Sequence, residues 1–521
     1  MNTRTSSITQ IVFQSADASN DGPIEIGNSC RPGSLGNDGY EIIGESTINF
    51  LHHENDIIAA KLECHSLRSA LEGIKSFENK FCGGRDENDR MPYLLEFEID
   101  ISSCSIEIED DGIKAIATEL FSLTERNDIN YRVRELIVPG MSISQYGLDA
   151  ITSILINSWH RCEVLSLSYN YLTNKGIEKL SNALQHNFFD VCKNDVFKPI
   201  NKPTSSGLKT LKLENVGMNY VGIEHLRNSF NCNDAMQSLN ELYLGDNDFF
   251  GGNNANHGVR QIKLLLRENP NIHTLSLFAT NLGDDALSSL AYDFQSRRSL
   301  HLGRNNITCK GVAILGKIIL NSSTLQNLKL NGNPVGDNSD GWFSFTESLK
   351  ENSSLKYLDL TNCKIEDDGA ISLAKNISIN TSLEQVILRG NYGIGEAGIG
   401  ALIQCLFDTT SLQHVLNSNH TLVNFDFYSS MVHIESSREL KSLCEINQQL
   451  GRMKSRKQKF LCGIKTNPWW ISCWESENHH DRKIIPYLLE MLTSGQQVDM
   501  FGTTFNVLRN VPLILKNLIG P

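Results

Sequence analysis

Two short stretches of the sequence carry residue types that could bind a cofactor or a metal. Gly393, Gly395 and Gly398 have the G-x-G-x-x-G spacing of loops that bring backbone N–H groups to a dinucleotide. The glycines nevertheless fall in phase with an internal repeat, which favours an ordinary loop and no cofactor. Cys462 and Cys473 precede a pair of histidines at 479–480, but no tight Cys pair is present. We therefore predict no metal site.

Acidic pairs recur at Asp110–Asp111, Asp284–Asp285 and Asp367–Asp368. Paired carboxylates can act as general acid and base. Each pair, however, stands just before a helical pattern, where the positive end of a helix stabilises negative charge. The motifs G-x-S-x-G, H-E-x-x-H and Walker A do not occur in the sequence. The sequence thus predicts a protein without catalytic residues, not an enzyme.

The charge balance limits the classes of partner. Lys and Arg total 47 against 60 Asp and Glu, a net charge of −13, which argues against nucleic acid or an anionic membrane. The basic run between Arg452 and Lys459 could be a nuclear localisation signal or a basic binding patch. The interpretation as a solvated helix face is favoured. No run approaches the roughly 20 apolar residues of a membrane helix. Scattered Cys and the absence of a secretory pattern predict a cytoplasmic location, with the nucleus as the alternative.

An internal repeat supplies the elements that would position functional side chains. The phrase L-x-x-L-x-L-x-x-N/C-x-L recurs in about eleven units, for example from Leu325 and from Leu355. Residues alternate faces in a strand, so L-x-L places its two leucines inward and the residue between them outward. A helical pattern follows most of the phrases. The fourth position of the phrase falls at Ile99, Leu136, Leu165, Leu211, Leu242, Leu275, Leu300, Leu328, Leu358 and Val386.

The ninth position of the phrase is predicted to form a structural ladder. A buried Asn or Cys there can hydrogen-bond the backbone groups that the turning chain leaves without partners. These residues are Cys104, Asn170, Asn247, Asn305, Asn333, Cys363 and Asn391.

Six N-x-S/T sequons could mark a secreted glycoprotein. Most of them belong to an N-x-S-L phrase that precedes a strand, which favours a structural role. The sequons begin at Asn306, Asn321, Asn352, Asn376, Asn380 and Asn419.

The pattern resembles the ribonuclease-inhibitor type of leucine-rich repeat protein, from about Tyr93 to Ser430. This resemblance implies an α/β solenoid, a right-handed horseshoe with parallel strands on the concave face and helices on the convex face. The family includes inhibitors, GTPase-activating proteins for Ran, actin-binding caps and innate-immune sensors. We expect a disordered segment 1–45, a helical N-terminal cap 46–92, the repeat array 93–430 and a helical C-terminal cap 431–521.

The outward side chains of the array predict the function. Exposed aromatic residues beside Arg are typical of binding hot spots, so we expect a non-catalytic scaffold that binds a protein partner on the concave face. The alternatives are a GTPase activator similar to the Ran-directed branch, whose acidic tail this chain lacks, and a ubiquitin-ligase substrate adaptor. The candidate partner-binding residues are Tyr243, Asp246, Phe278, His301, Arg304, Lys329, Asp359 and Arg389.

Overall fold

The chain forms two compact units, Met1–Asn281 and Leu282–Pro521. The computed structural model describes residues 46–53, 57–64, 66, 68, 70–75, 94–104, 107–127, 130–155, 162–194, 207–231, 238–336, 340–410, 412–427, 438–448 and 459. The segment 1–45 and the Trp-rich segment 467–474 lie outside these residues, and the boundaries of the four predicted regions stay predictions. Each repeat contacts only its neighbours in such an array, so a division between two repeats is physically reasonable.

Unit 1 is built on strands that pair in chain order. The first two are antiparallel and every later pair is parallel. The strands are β1 (Ser46–His53), β2 (Ile57–Cys64), β3 (Leu94–Asp100), β4 (Asn130–Ile137), β5 (Val164–Ser166), β6 (Thr210–Lys212), β7 (Glu241–Tyr243) and β8 (Thr274–Ser276).

Unit 2 repeats the parallel arrangement. Its strands are β9 (Ser299–His301), β10 (Asn327–Lys329), β11 (Tyr357–Asp359), β12 (Gln385–Ile387) and β13 (Asn424–Asp426).

The strand register confirms the repeat alignment predicted from the sequence. In unit 1, Leu165 pairs with Leu211 and Leu211 with Leu242. In unit 2, Leu328 lies between Leu300 and Leu358. A one-residue slip would turn every leucine to the other face, so the hydrophobic pattern fixes this register.

Each repeat strand from β3 to β12 is followed by a helix, and neighbouring helices pack against one another throughout unit 1 and among the first five helices of unit 2. In unit 1 the helices are α1 (Glu109–Asn127), α2 (Leu148–Leu155), α3 (Thr173–Asn194), α4 (Tyr220–Asn231) and α5 (Ala255–Glu268). In unit 2 they are α6 (Gly283–Phe294), α7 (Cys309–Asn321), α8 (Asp340–Glu351), α9 (Asp367–Ile377), α10 (Glu396–Leu406) and α11 (Leu412–Asn417).

The expected helical N-terminal cap over 46–92 is wrong for its first part. Residues 46–53 and 57–64 form the antiparallel pair β1 and β2, and β2 pairs with the first repeat strand. Ile58 and Leu62 are four residues apart, a spacing that suits one face of a helix. An even-numbered separation also places two residues on the same face of a strand. Residues 70–75 are helical. β2 thus pairs with the edge of β3 that would otherwise be exposed.

The core lies between the strands and the helices. Leu165 and Leu167 of one repeat and Ile177 of the helix α3 that follows them are fully buried. Complete burial of one such side chain contributes about 2 kcal/mol. Because a single repeat cannot cover its own leucines, the neighbouring repeats supply the rest of the core.

The asparagines of the ninth position connect adjacent repeats. Asn333 Oδ1 accepts hydrogen bonds from the backbone N–H groups of Asn305 (2.8 Å) and Ile307 (3.0 Å) in the preceding repeat. Its Nδ2 donates to the carbonyls of Leu302 and Leu330, both at 2.8 Å. One amide thus satisfies four backbone groups in the core. Asn170, Asn247 and Asn391 form the same set.

Cys and Thr also occupy this position, and two repeats of unit 1 carry Met141 and Val216 there. The Cys363 thiol donates to the Leu330 carbonyl at 3.3 Å, and the Thr280 hydroxyl donates to the Leu277 carbonyl at 2.9 Å. Cys104 is only half-buried. A thiol or hydroxyl forms fewer hydrogen bonds than an amide, so fewer hydrogen bonds connect these repeats to their neighbours.

A second ladder of asparagines precedes the strands. Asn380 Oδ1 accepts from the N–H groups of Ser382 and Leu383, and its Nδ2 donates to the carbonyls of Leu349 and Asn352. The sequon residues Asn352 and Asn419 are placed in the same way, and all three are buried. Their amides are therefore part of the fold and inaccessible to a glycosyl transferase in the folded chain.

The second ladder ends on a buried lysine. Lys459 is 1% exposed, and its Nζ donates to the carbonyls of Leu406 (2.7 Å) and Asn419 (2.9 Å). The prediction of a solvated helix face is wrong for this member of the basic run, because its ammonium group replaces the next amide of the ladder. Burial lowers the pKa of Lys459 to about 8. The preceding residues 438–448 are helical, and 452–457 lie outside the described residues.

We expect Asn333→Ala to lower the free energy of unfolding by about 3 kcal/mol, because buried N–H and C=O groups lose their partners. Urea unfolding followed by circular dichroism measures the change. The matched control is Asn331→Ala at a half-exposed position of the same turn, with an effect below about 0.5 kcal/mol. Equal effects of the two substitutions would contradict the ladder as a stabilising device.

Lys459 should give the chain a distinctive alkaline stability profile. Between pH 8 and 10.5 the unfolded chain binds a proton at Lys459 that the folded chain does not, so stability rises with pH. Relative to Lys459→Met, the wild type should gain about 3 kcal/mol over that interval. Urea titrations at several pH values measure it, with the exposed Lys441→Met as the control. Parallel profiles of wild type and Lys459→Met would refute the assignment.

Candidate partner-binding faces

Each unit has a strand face, defined here as the surface formed by outward side chains of its repeat strands and of the turns that follow them. In β7 and β10 the middle leucine is buried while the flanking residues are half-exposed. The period-2 alternation of the strands produces this surface. The candidate residues Tyr243, Asp246 and Phe278 lie on the strand face of unit 1, and the other five lie on that of unit 2.

The structure brings the three unit 1 candidates together. Tyr243 ends β7, and Asp246 lies in the following turn, where its N–H donates to the carbonyl of Phe278 at 2.7 Å. Phe278 follows β8 by two residues, the position that Gly245 has after β7, and its side chain is half-buried. Tyr243 thus lies at the start of the turn that carries Asp246, and Phe278 of the following repeat lies beside that turn.

Carboxylates and a lysine surround the ring of Tyr243. Its hydroxyl donates to Glu241 at 3.3 Å, and Lys212 Nζ lies 5.4 Å from the ring centroid, within cation–π range. Burial, with Glu241 and Glu214 nearby, raises the pKa of Tyr243 to about 12. The phenol therefore stays protonated and acts as a hydrogen-bond donor.

Glu214 lies in the same row as Phe278, one repeat before Gly245. Burial and the nearby Asp246 raise the pKa of Glu214, although Lys212 acts in the opposite direction. Asp246 also accepts a hydrogen bond from the Tyr169 hydroxyl at 3.3 Å. Tyr169, Glu214 and Glu241 were absent from the predicted site. Glu214 could have been found by reading across the second outward row, whereas Tyr169 stands outside the L-x-L phrase.

The strand face of unit 2 contains cations and a neutral histidine. His301 pairs in register with Lys329, and Lys329 with Asp359. Burial first, and then the positive charge of Lys329, lower the pKa of His301 to about 4. Its Nε2 lies 3.2 Å from the Ser299 hydroxyl. Because so weak a base does not deprotonate a hydroxyl efficiently, this contact positions the ring and gives no sign of catalysis.

Arg304 and Arg389 follow the strands of unit 2 and are exposed. Arg304 lies in the left-handed region (φ 52°) and its N–H donates to the Asn331 carbonyl. Arg389 forms an ion pair with Asp426 of β13. Asp359 Oδ1 accepts from the Thr361 N–H at 2.9 Å. Lys329 and Arg304 thus add positive charge to this face, whereas Arg389 is compensated by its partner.

The glycine motif has a structural role. Asp367 Oδ1 accepts hydrogen bonds from the N–H groups of Gly395 (2.7 Å) and Gly398 (2.8 Å). A dinucleotide phosphate would need the same kind of donor. The carboxylate therefore already occupies the position of the anion. Asp110 and Asp284 bind the N–H and hydroxyl of Ser144 and Thr308 in the same manner.

The residues that the structure describes contain neither a metal-binding cluster nor a membrane-spanning helix. Within them, no three His, Cys, Asp or Glu side chains are grouped so that they could hold a metal ion. Likewise, none of the helices in this part of the chain has the length and apolar character needed to span a membrane. Cys462, Cys473 and residues 479–480 lie outside the described residues.

Known proteins share the repeat. The model of the family described as Leucine Rich repeat matches residues 351–374. The ribonuclease inhibitor of Sus scrofa is 24% identical over 397 residues, which cover 66% of this chain and 83% of that protein. NACHT, LRR and PYD domains-containing protein 3 of Bos taurus is 25% identical over 335 residues, 60% of this chain and 27% of that protein.

A solved structure was also found. A chain in the crystal structure of the Rad7 and Elc1 complex of yeast is 14% identical, covers 64% of this chain and 76% of its own length, and has a TM-score of 0.36. So low a score adds nothing to the assignment, which rests on the strand register, the ladder of asparagines and the sequence relatives. The chain thus has an α/β leucine-rich repeat fold and is similar in sequence to the ribonuclease inhibitors.

Proposed function

We propose that the chain is a non-catalytic scaffold that binds a protein partner through the strand faces of its units. The observation that carries the proposal is the group formed by Tyr243, Asp246 and Phe278 in unit 1. Aromatic rings next to charged groups provide large contact areas with defined polar contacts, as binding hot spots require.

Backbone conformation gives further support. The residue after each strand turn is left-handed in nine successive repeats, and most of these residues are Gly, Asn or Asp, which adopt this conformation readily. Tyr169 and Arg304 adopt it as well, at φ values of 62° and 52°. The left-handed conformation costs such residues about 1 kcal/mol. Ala279 adopts it too (φ 52°), so the conformation is a property of the repeat turn, which presents the side chains of Tyr169 and Arg304 at fixed places.

The relatives are consistent with a protein partner. The porcine relative is named a ribonuclease inhibitor, a name that states action on an enzyme. Because the relative is only 24% identical to this chain, its name does not identify the partner of this chain. Neither GTPase activation nor a ubiquitin-ligase adaptor role gains a supporting residue from the described part of the chain.

We also propose a reducing compartment, the cytoplasm with the nucleus as the alternative. No disulfide bond involves Cys162, Cys309, Cys363, Cys405 or Cys444, and all of these except Cys309 are buried. Burial raises the pKa of Cys162, Cys363, Cys405 and Cys444 to about 12, so these thiols are protonated.

Replacing Tyr243 or Phe278 by alanine should reduce capture of the principal partner at least tenfold, because each substitution removes an aromatic contact. Affinity purification with quantitative mass spectrometry measures the capture. Tyr292→Ala on helix α6, an exposed tyrosine away from the strands, is the control and should leave capture within twofold.

The proposal fails if capture is unchanged in both strand-face variants, or if Tyr292→Ala reduces it equally. Circular dichroism of each variant separates a lost contact from a lost fold.

A further inference from the structure

Glu214 of unit 1 is a carboxylate held beside aromatic rings without an ion pair. The ion pairs of this face join Arg134 and Lys209 to Glu163, and within the described residues none joins a Lys or Arg to Glu214. Burial and the neighbouring Asp246 nevertheless make the ionised form of Glu214 less favourable, which raises its pKa. The positive charge of Lys212 opposes this effect without cancelling it, so a further positive charge supplied by a ligand would stabilise the ionised carboxylate.

Gly245 makes this arrangement sterically feasible. A methyl group on Gly245 would lie 3.3 Å from Glu214 Oε1, 3.2 Å from Phe278 Cβ and 3.0 Å from the Phe278 carbonyl oxygen. The absence of that methyl group lets the carboxylate and the base of the aromatic side chain approach across the glycine. The Glu214 carboxylate and the Cβ atom of Phe278 therefore lie on either side of Gly245 on the strand face.

The surrounding groups define the chemistry of a ligand. Tyr169 donates to Asp246 and Tyr243 to Glu241, so both phenols are bonded to neighbouring carboxylates. Lys212 already lies over the Tyr243 ring, which shows that the site accommodates a cation against an aromatic face. A planar cation can bind a carboxylate with two N–H groups while stacking on a ring, and guanidinium does both better than ammonium.

We propose that the arginine recess, defined as Glu214, Gly245, Asp246 and Phe278, receives the guanidinium group of an arginine from the protein partner. The inference rests on the proposed function and specifies the chemistry of the partner at this site. The guanidinium pairs with Glu214 and stacks on Phe278, and Asp246 adds a second negative charge. The bound guanidinium group attracts both carboxylates, Glu214 and Asp246, which otherwise repel each other.

Binding of a fluorescein-labelled hexa-arginine peptide to the full chain, measured by fluorescence anisotropy at physiological salt, tests the recess. The peptide should bind the wild type several-fold more tightly than hexalysine, and hexacitrulline should not bind measurably. Glu214→Gln should weaken hexa-arginine binding about tenfold, since the amide keeps the shape and loses the charge. Glu178→Gln, on an exposed position of α3, removes the same net charge and should change binding less than twofold.

Gly245→Ala provides a second variant that leaves the net charge unchanged. Its methyl group should displace the Glu214 carboxylate and abolish the preference for arginine over lysine. The proposal is overturned if the wild type does not bind hexa-arginine, if the arginine and lysine peptides bind equally, or if Glu178→Gln weakens binding as much as Glu214→Gln. The last two results would indicate only attraction to an acidic chain.

The failures of the two proposals are distinguishable. If Tyr243→Ala and Phe278→Ala reduce partner capture while Glu214→Gln changes neither capture nor peptide binding, the scaffold stands and the recess is rejected. If Glu214→Gln abolishes peptide binding while every strand-face variant captures the partner normally, the recess binds guanidinium groups, but its assignment to the partner is rejected and the scaffold function fails.

Discussion

The structure depends on how each repeat satisfies its backbone where the chain leaves the strand. At that point N–H and C=O groups are buried and have no strand or helix partners. In five repeats an asparagine stands at this point, and one of them, Asn333, bonds four of these groups across two repeats. The second ladder, with Asn380, does the same before the strands. Leucine burial supplies most of the stabilisation, and these amides determine where each turn lies.

Fixed turns make the strand faces possible. When every repeat turns at the same register, outward side chains form rows, and residues far apart in sequence become neighbours. Glu214 and Phe278 meet in this way on either side of Gly245. The proposed function therefore depends on side chains that different repeats bring together. The combination of Phe278, Glu214 and Gly245 recognises the partner, which none of these residues does alone.

Periodicity predicts the repeat strands, their register and the ladder position, because these follow from local spacing. The strands β1 and β2 were missed because Ile58 and Leu62 satisfy the strand and the helix pattern equally. Lys459 was missed because burial of a lysine depends on carbonyls, those of Leu406 and Asn419, that only the fold brings to it. Tyr169 joins the candidate site through its hydrogen bond to Asp246 of a different repeat, which no single repeat reveals, whereas Glu241 bonds Tyr243 within β7.

The central claim is that a protein partner contacts the strand face of unit 1. Hydroxyl-radical footprinting of the chain with and without its captured partner tests it most directly, because side-chain oxidation reports solvent access residue by residue. The account predicts that the partner reduces oxidation of Tyr169, Tyr243 and Phe278 and leaves the helical Tyr292 unchanged. Protection of Tyr292 with unaltered oxidation of the three strand-face residues would contradict it.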